Sequence, residues 1–171
     1  MTGAPDDGPP ESDAAGARTR LVAITLDEAS IKRSNPNVEH EREVAIYDIV
    51  DANHFEVCGR DEGPYTLHLS IVEDRLVMAI GSGRDPHIVS HVLSLTSLRR
   101  IMKDYFLVCD SYYQAIRTAP PSRIQAIDMG RRALHDEGSH LLAERLDGKV
   151  VIDHTTARRL FTLICALHWK G

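Results

Sequence analysis

Four residues in one stretch, Asp128, Arg131, Arg132 and His135, have the types and spacing to do chemistry. Steps of three and four along a helix stack side chains in a row. The row Asp128, Arg131 and His135 holds a carboxylate, a guanidinium and an imidazole, with the Arg132 guanidinium beside it. Arginines clamp phosphate or carboxylate groups through paired N–H donors. A histidine near a carboxylate can orient or exchange a proton close to neutral pH. On a 100° wheel, Asp128, Arg131 and His135 fall within or beside the arc of Ile124, Ile127 and Leu142, where the period predicts core. Polar side chains seldom occupy such positions unless paired.

Three arrangements fit that row. Asp128 and Arg131 can form a buried network with tyrosine hydroxyls that fixes helix register. Arg131 and Arg132 can instead hold an anionic group in a pocket where His135 and Asp128 handle protons. In the third, the helix is rotated or kinked at Gly138 and the row faces solvent.

The elements that must position the row are two helices, 97–118 and 122–146, joined at Pro120-Pro121. Leu98, Ile101, Met102, Tyr105, Phe106, Cys109, Tyr112, Tyr113 and Ile116 share one broad face of the first. Ser122 and Gln125 have capping-box spacing at the start of the second. Folded back as an antiparallel hairpin, the pair sets Tyr112 near Asp128, Cys109 near Arg131 and Tyr105 near His135. Gly130 and Gly138 allow close approach or a bend.

The rest of the chain supplies a sheet and two more helices. Residues 20–26, 54–60, 65–72, 75–80 and 87–95 alternate apolar and polar side chains at period two, with short connections that favour antiparallel pairing. Asn35-Pro36 opens a helix over 36–53 that buries Val38, Ala45, Ile46, Ile49 and Val50, with the polar run 39–43 as its solvated face. Asp153 caps a last helix over 155–169, apolar on most sides, which predicts central burial or pairing with another subunit. Arg158 and Arg159 in its first turn, where the helix dipole disfavours cations, read as exposed. The sequence thus predicts one α+β domain over residues 20–171, an antiparallel sheet of four to five strands covered by about four helices, three of them C-terminal. Residues 1–19, acidic and Pro-rich, read as a disordered tail.

Composition narrows the function classes. The chain is 43% hydrophobic and 26% charged, ordinary for a soluble globular protein, and carries a net charge of −5. That sign argues against nucleic acid as the main partner, even with Arg99, Arg100, Lys103 and Arg117 on one helix. Cys58, Cys109 and Cys165, odd in number and widely spaced, read as reduced thiols in a cytoplasmic protein. No apolar run reaches membrane-spanning length, and the first residues lack a signal-peptide pattern. Glycine-rich nucleotide loops and a nucleophile elbow are missing. The nine histidines show no zinc or iron spacing and read as surface or supporting groups, so no metal or other cofactor is expected.

The leading function is therefore a non-catalytic cytoplasmic binding or regulatory module that recognises a small anionic ligand or a protein. Its candidate cluster is Asp128, Arg131, Arg132, His135, Tyr105 and Tyr112. The alternative is a hydrolase or phosphoryl-group enzyme using His135 and Asp128, with Arg131 and Arg132 as the anion clamp. A homo-oligomer remains open.

Five stretches carry a resemblance: NPNVEHEREVAIYDI (35–49), GPYTLHLS (63–70), SLTSLRRIMKDYF (94–106), SRIQAIDMGRRALHDEGS (122–139) and TARRLFTLICALHW (156–169). On these the chain resembles uncharacterised protein family 0262 of alphaproteobacteria, over nearly everything after the tail. The resemblance implies no activity and no catalytic residues. The long tail departs from the shorter start the family leads one to expect, which adds to the case for disorder there.

Overall fold

The structure, a computed structural model, describes residues 16–168. Its elements are β1 (Leu21–Leu26), α1 (Pro36–Asp51), β2 (Phe55–Val57), β3 (Tyr65–Val72), β4 (Arg75–Ser82), β5 (Val89–Ser94), α2 (Thr96–Thr118), α3 (Pro121–Leu146), β6 (Val150–Ile152) and α4 (His154–His168). The α+β class and the helices at all four expected places are as the sequence predicts.

Two features of the sheet differ from the expectation of uniform antiparallel pairing. The main sheet runs β1-β3-β4-β5, and β1 lies parallel to β3, with Ile24 opposite Leu67. The reason is the connection: α1 intervenes, and a helical crossover returns the chain in the same direction, whereas a tight hairpin reverses it. Period-two alternation is blind to this, because parallel and antiparallel strands alternate faces alike. The second difference is that β2 leaves the main sheet and pairs antiparallel with β6, Phe55 opposite Ile152.

The β3–β4–β5 meander follows its alternation closely. Tyr65, Leu67 and Leu69 on β3 and Leu76, Met78 and Ile80 on β4 are all buried. The β3–β4 turn places Glu73 and Asp74 at φ 51° and 59°, the left-handed conformation that matches the twist of a two-residue hairpin. On the outer face Thr25 Oγ1 and His68 Nδ1 meet at 2.7 Å in solvent. One face is dry and one is wet.

The inner face is covered by the helices, and α4 lies at their centre, packed against both α1 and α3. Its buried residues include Ala157, Leu160, Phe161, Leu163, Ile164, Cys165 and Leu167, so its nearly all-round apolar character is spent inside one chain. Capping follows the sequence in part. Asn35 Oδ1 accepts from Val38 N–H at 3.0 Å, and Asp153 Oδ1 from Thr156 N–H at 2.8 Å. By contrast α3 begins at Pro121 with no side-chain cap, so Ser122 and Gln125 do not form the expected box.

The polar run of α1 is not wholly solvated. Arg42 is 5% exposed, and its guanidinium donates to Ala166 O at 3.0 Å, Leu167 O at 3.4 Å and Lys32 O at 3.0 Å. It thereby satisfies carbonyls of the last turn of α4, where a cation also meets the negative end of the helix dipole. At the other end of the chain, Thr19 O accepts from Phe55 N–H and Arg20 O from Tyr65 N–H, so residues 19 and 20 are tied to the sheet. Of the tail expected to be disordered, residues 16–18 form a short helical turn, while residues 1–15 lie outside the described residues, as does Trp169. Among the described residues no helix is long and apolar enough to cross a membrane.

Candidate functional site

The α2–α3 hairpin forms as the two proline residues require, and it brings the predicted side chains together in two groups rather than one row. The first lies toward the turn. Asp128 accepts from Arg131 Nε at 3.1 Å and pairs through its other oxygen with Arg132 Nε at 3.0 Å. The Arg131 guanidinium also stacks over the Tyr112 ring, 4.6 Å from its centroid. Tyr112 therefore meets the arginine and not Asp128 itself. The hydrogen bond from Arg131 holds the Asp128 carboxyl below its ordinary range, with Arg132 reinforcing it.

The second group is farther along α3. His135 packs edge-on between Tyr105 and Phe161, with centroid distances of 5.4 Å and 5.2 Å. Its Nε2 lies 2.7 Å from Thr162 Oγ1, and that hydroxyl donates to Arg158 O at 3.1 Å. With the hydroxyl proton committed, Nε2 must carry the imidazole proton and donate it, which leaves Nδ1 as a bare acceptor. Nδ1 is buried and has no hydrogen-bond partner in the structure. Burial first, then the charges of Arg158 and Arg131, press the His135 pKa down to about 4. The ring is neutral at physiological pH.

The row Asp128, Arg131 and His135 is half-buried, turned toward α2 and α4. It borders open space. A cavity of about 400 Å³ is lined by Arg131, Arg132, Arg158 and Arg159 together with Tyr105, His135 and Thr162. Beside it a larger cleft of about 740 Å³ runs between α1, α2 and α4, with Val44, Ala45, Phe106 and Cys109 among its walls. Tyr105, Arg131 and Thr162 line both.

Arg158 and Arg159 are not the free surface arginines that their position in the first turn of α4 suggests. Arg158 Nη1 donates to Asp136 Oδ1 at 2.9 Å, and Arg159 Nη1 donates to Ala52 O at 2.6 Å and Asp48 O at 3.1 Å. A carboxylate on one neighbouring helix and the C-terminal carbonyls of another offset the unfavourable dipole. Thr162 and Asp136 stand on no motif or anomaly that marks them in the sequence. Thr162, four residues after Arg158, could have been found by helical spacing, but only once α4 was known to face α3.

Tyr113 and Ile116, expected on the buried face of α2, are 53% and 49% exposed. A helical wheel gives direction, not whether another element lies opposite. Gly138 does allow close approach, but to α4: an added Cβ there would lie 2.2 Å from Phe161 Cζ. Gly130 has open space instead. The thiols of Cys109 and Cys165 are buried beside the larger cleft, and burial raises both above the usual thiol range, Cys165 more strongly, which suits packing and not nucleophilic attack.

Known proteins agree with one assignment. Residues 18–170 match the Uncharacterised protein family (UPF0262). A UPF0262 protein of Nitrobacter winogradskyi is 60% identical over 163 residues, covering 95% of this chain and 96% of its own. One from Rhodopseudomonas palustris strain TIE-1 is 60% identical over 162 residues, covering 95% and 98%. Another, from strain BisA53 of that species, is 58% identical over 170 residues and spans 99% of both chains. No solved structure matches the chain. By matches of this length and identity, the chain belongs to the uncharacterised protein family UPF0262.

Proposed function

We propose that this protein is a non-catalytic binding module that takes a small anionic ligand in the arginine-lined cavity between α3 and α4. The observation that carries the reading is the lining itself: four arginines, a neutral histidine, a threonine and a tyrosine, with no carboxylate among them. A volume of about 400 Å³ is within the range of small-molecule sites. Arg132 is 74% exposed and Arg158 38%, so both can turn donors toward a bound phosphate or carboxylate. The less polar cleft that shares Tyr105 and Arg131 gives room for a ligand body attached to the anionic group. Three unpaired thiols support a reducing, cytoplasmic setting.

The arrangement weighs against the hydrolase or phosphoryl-group enzyme. Asp128 is bound to Arg131 and Arg132, not to His135. Held down to about 4, His135 is a weak base at neutral pH, and no carboxylate supports its Nδ1.

Mass spectrometry of the natively purified protein and thermal unfolding with inorganic pyrophosphate as a probe test the reading together. Saturation near a hundred times the dissociation constant adds about 2.7 kcal/mol, a rise of roughly 5–10 °C for a domain of this size. The rise should shrink in Arg132→Ala. A wild-type midpoint that ignores pyrophosphate, with no retained anion in the mass spectrum, refutes the reading.

A further inference from the structure

A second cluster is joined to the cavity lining through Arg158, which donates to Asp136, and its chemistry differs. Asp136 and His140 are one turn apart on α3 and so share a face. His154 is the first residue of α4, brought back to α3 by the β6 return. His154 Nε2 lies 3.1 Å from Asp136 Oδ1, and His140 Nε2 lies 3.5 Å from Asp136 Oδ2. The two imidazoles stack, with centroids 4.8 Å apart and planes 25° from parallel. One ligand atom from each residue falls within 4.8 Å of the other two.

We infer that Asp136, His140 and His154 form a binding site for a divalent transition-metal ion of the zinc class. Ligands held tetrahedrally at zinc distances of 2.0–2.2 Å sit about 3.3 Å apart. His154 Nε2 already lies at that distance from Oδ1 and His140 Nε2 close to it from Oδ2, while one atom from each of the three groups falls within 4.8 Å of the others. Small rotations of the carboxylate and of the two half-exposed rings bring one oxygen and both nitrogens onto a shared ion. Two imidazole nitrogens and one carboxylate oxygen form a borderline donor set that suits zinc, cobalt or nickel, and not the all-oxygen shells of calcium or magnesium. Three protein ligands leave the fourth position to water.

Arg158 supplies the supporting contact that carboxylate ligands require. Its Nη1 donates to Asp136 Oδ1, orienting the group while Oδ2 faces His140. Helical spacing alone does not reveal the site, because its ligands come from two helices and only Asp136 and His140 share one. An ion here would clamp the middle of α3 to the start of α4.

The test is calorimetric titration of chelator-stripped full-length protein with Zn²⁺, alongside visible absorption with Co²⁺, in phosphate-free buffer. One ion per chain is expected, with the d–d bands of a nitrogen- and oxygen-ligated cobalt site. His140→Ala and His154→Ala, both at exposed positions, should each weaken binding at least tenfold while circular dichroism stays unchanged, whereas Cys58→Ser should bind as the wild type does. No saturable binding overturns the inference, as does binding that survives the double histidine variant or disappears with Cys58.

Discussion

Asp128 and Asp136 stand eight residues apart on α3, and each holds arginine. The first closes on its own helix, taking Arg131 and Arg132 at three and four residues' distance. The second pairs with His140 one turn on and also reaches across to α4 for Arg158 and His154. Around Asp128 the neighbours are exposed: Met129 is 66% exposed, and Gly130 meets open space. Just beyond Asp136, Gly138, Ser139 and Leu142 are buried, and Phe161 lies over Gly138. One helix thus has a self-paired stretch near its start and a middle stretch that adds partners from α4. The cavity lies where the two regimes meet.

The difference can be broken most forcefully with its two glycines. Gly138→Ala forces a methyl into the Phe161 ring, and overpacking that the helical gain of alanine only partly offsets should cost about 2 kcal/mol in urea unfolding. If Gly138→Ala is neutral, α3 and α4 are not as closely packed as described. Arg132→Ala comes next. It should leave stability nearly unchanged, because the side chain is largely exposed, but weaken pyrophosphate binding about tenfold, or about 1.4 kcal/mol. Gly130→Ala should have the opposite sign to its counterpart at 138, stabilising by roughly 0.5–1 kcal/mol through helix propensity alone.

A further effect is in pH dependence, measured with chelator present. His135 faces Arg158, Arg131 and Asp136, with Tyr105 packed against it. Between about 4 and the ordinary 6.5, the unfolded chain binds a proton at this ring that the folded protein refuses. Stability should therefore decline as pH falls through that window, with the loss complete below it. His135→Gln should flatten the slope without abolishing it, because burial also lowers the pKa values of His168 and His91. An unaltered slope in that variant would mean the ring titrates freely in the folded protein.

The same contrast explains what the sequence could disclose. Period-two strands, the Asn35 and Asp153 caps and the Pro120-Pro121 hairpin are local, and they were readable. So was the Asp128–Arg131 pairing, which needs only helical spacing. The parallel partner of β1, the exchange of β2 to β6 and the burial of Arg42 against the end of α4 all depend on elements far apart in the chain. Arg158 and Arg159 were visible as anomalies in the first turn of a helix, but their partners Asp136 and Ala52 lie 22 and 107 residues away. The cavity is a consequence of those distant meetings, and periodicity carries no record of them.

Nitrogen-15 NMR of the arginine side chains and the His135 ring during titration with pyrophosphate reaches the central claim most directly. The account predicts that the Arg132 and Arg158 Nε signals and the His135 ring shift together along one saturating curve. Signals that stay fixed through millimolar pyrophosphate, or that drift equally at all arginines as bulk screening would make them, would contradict it.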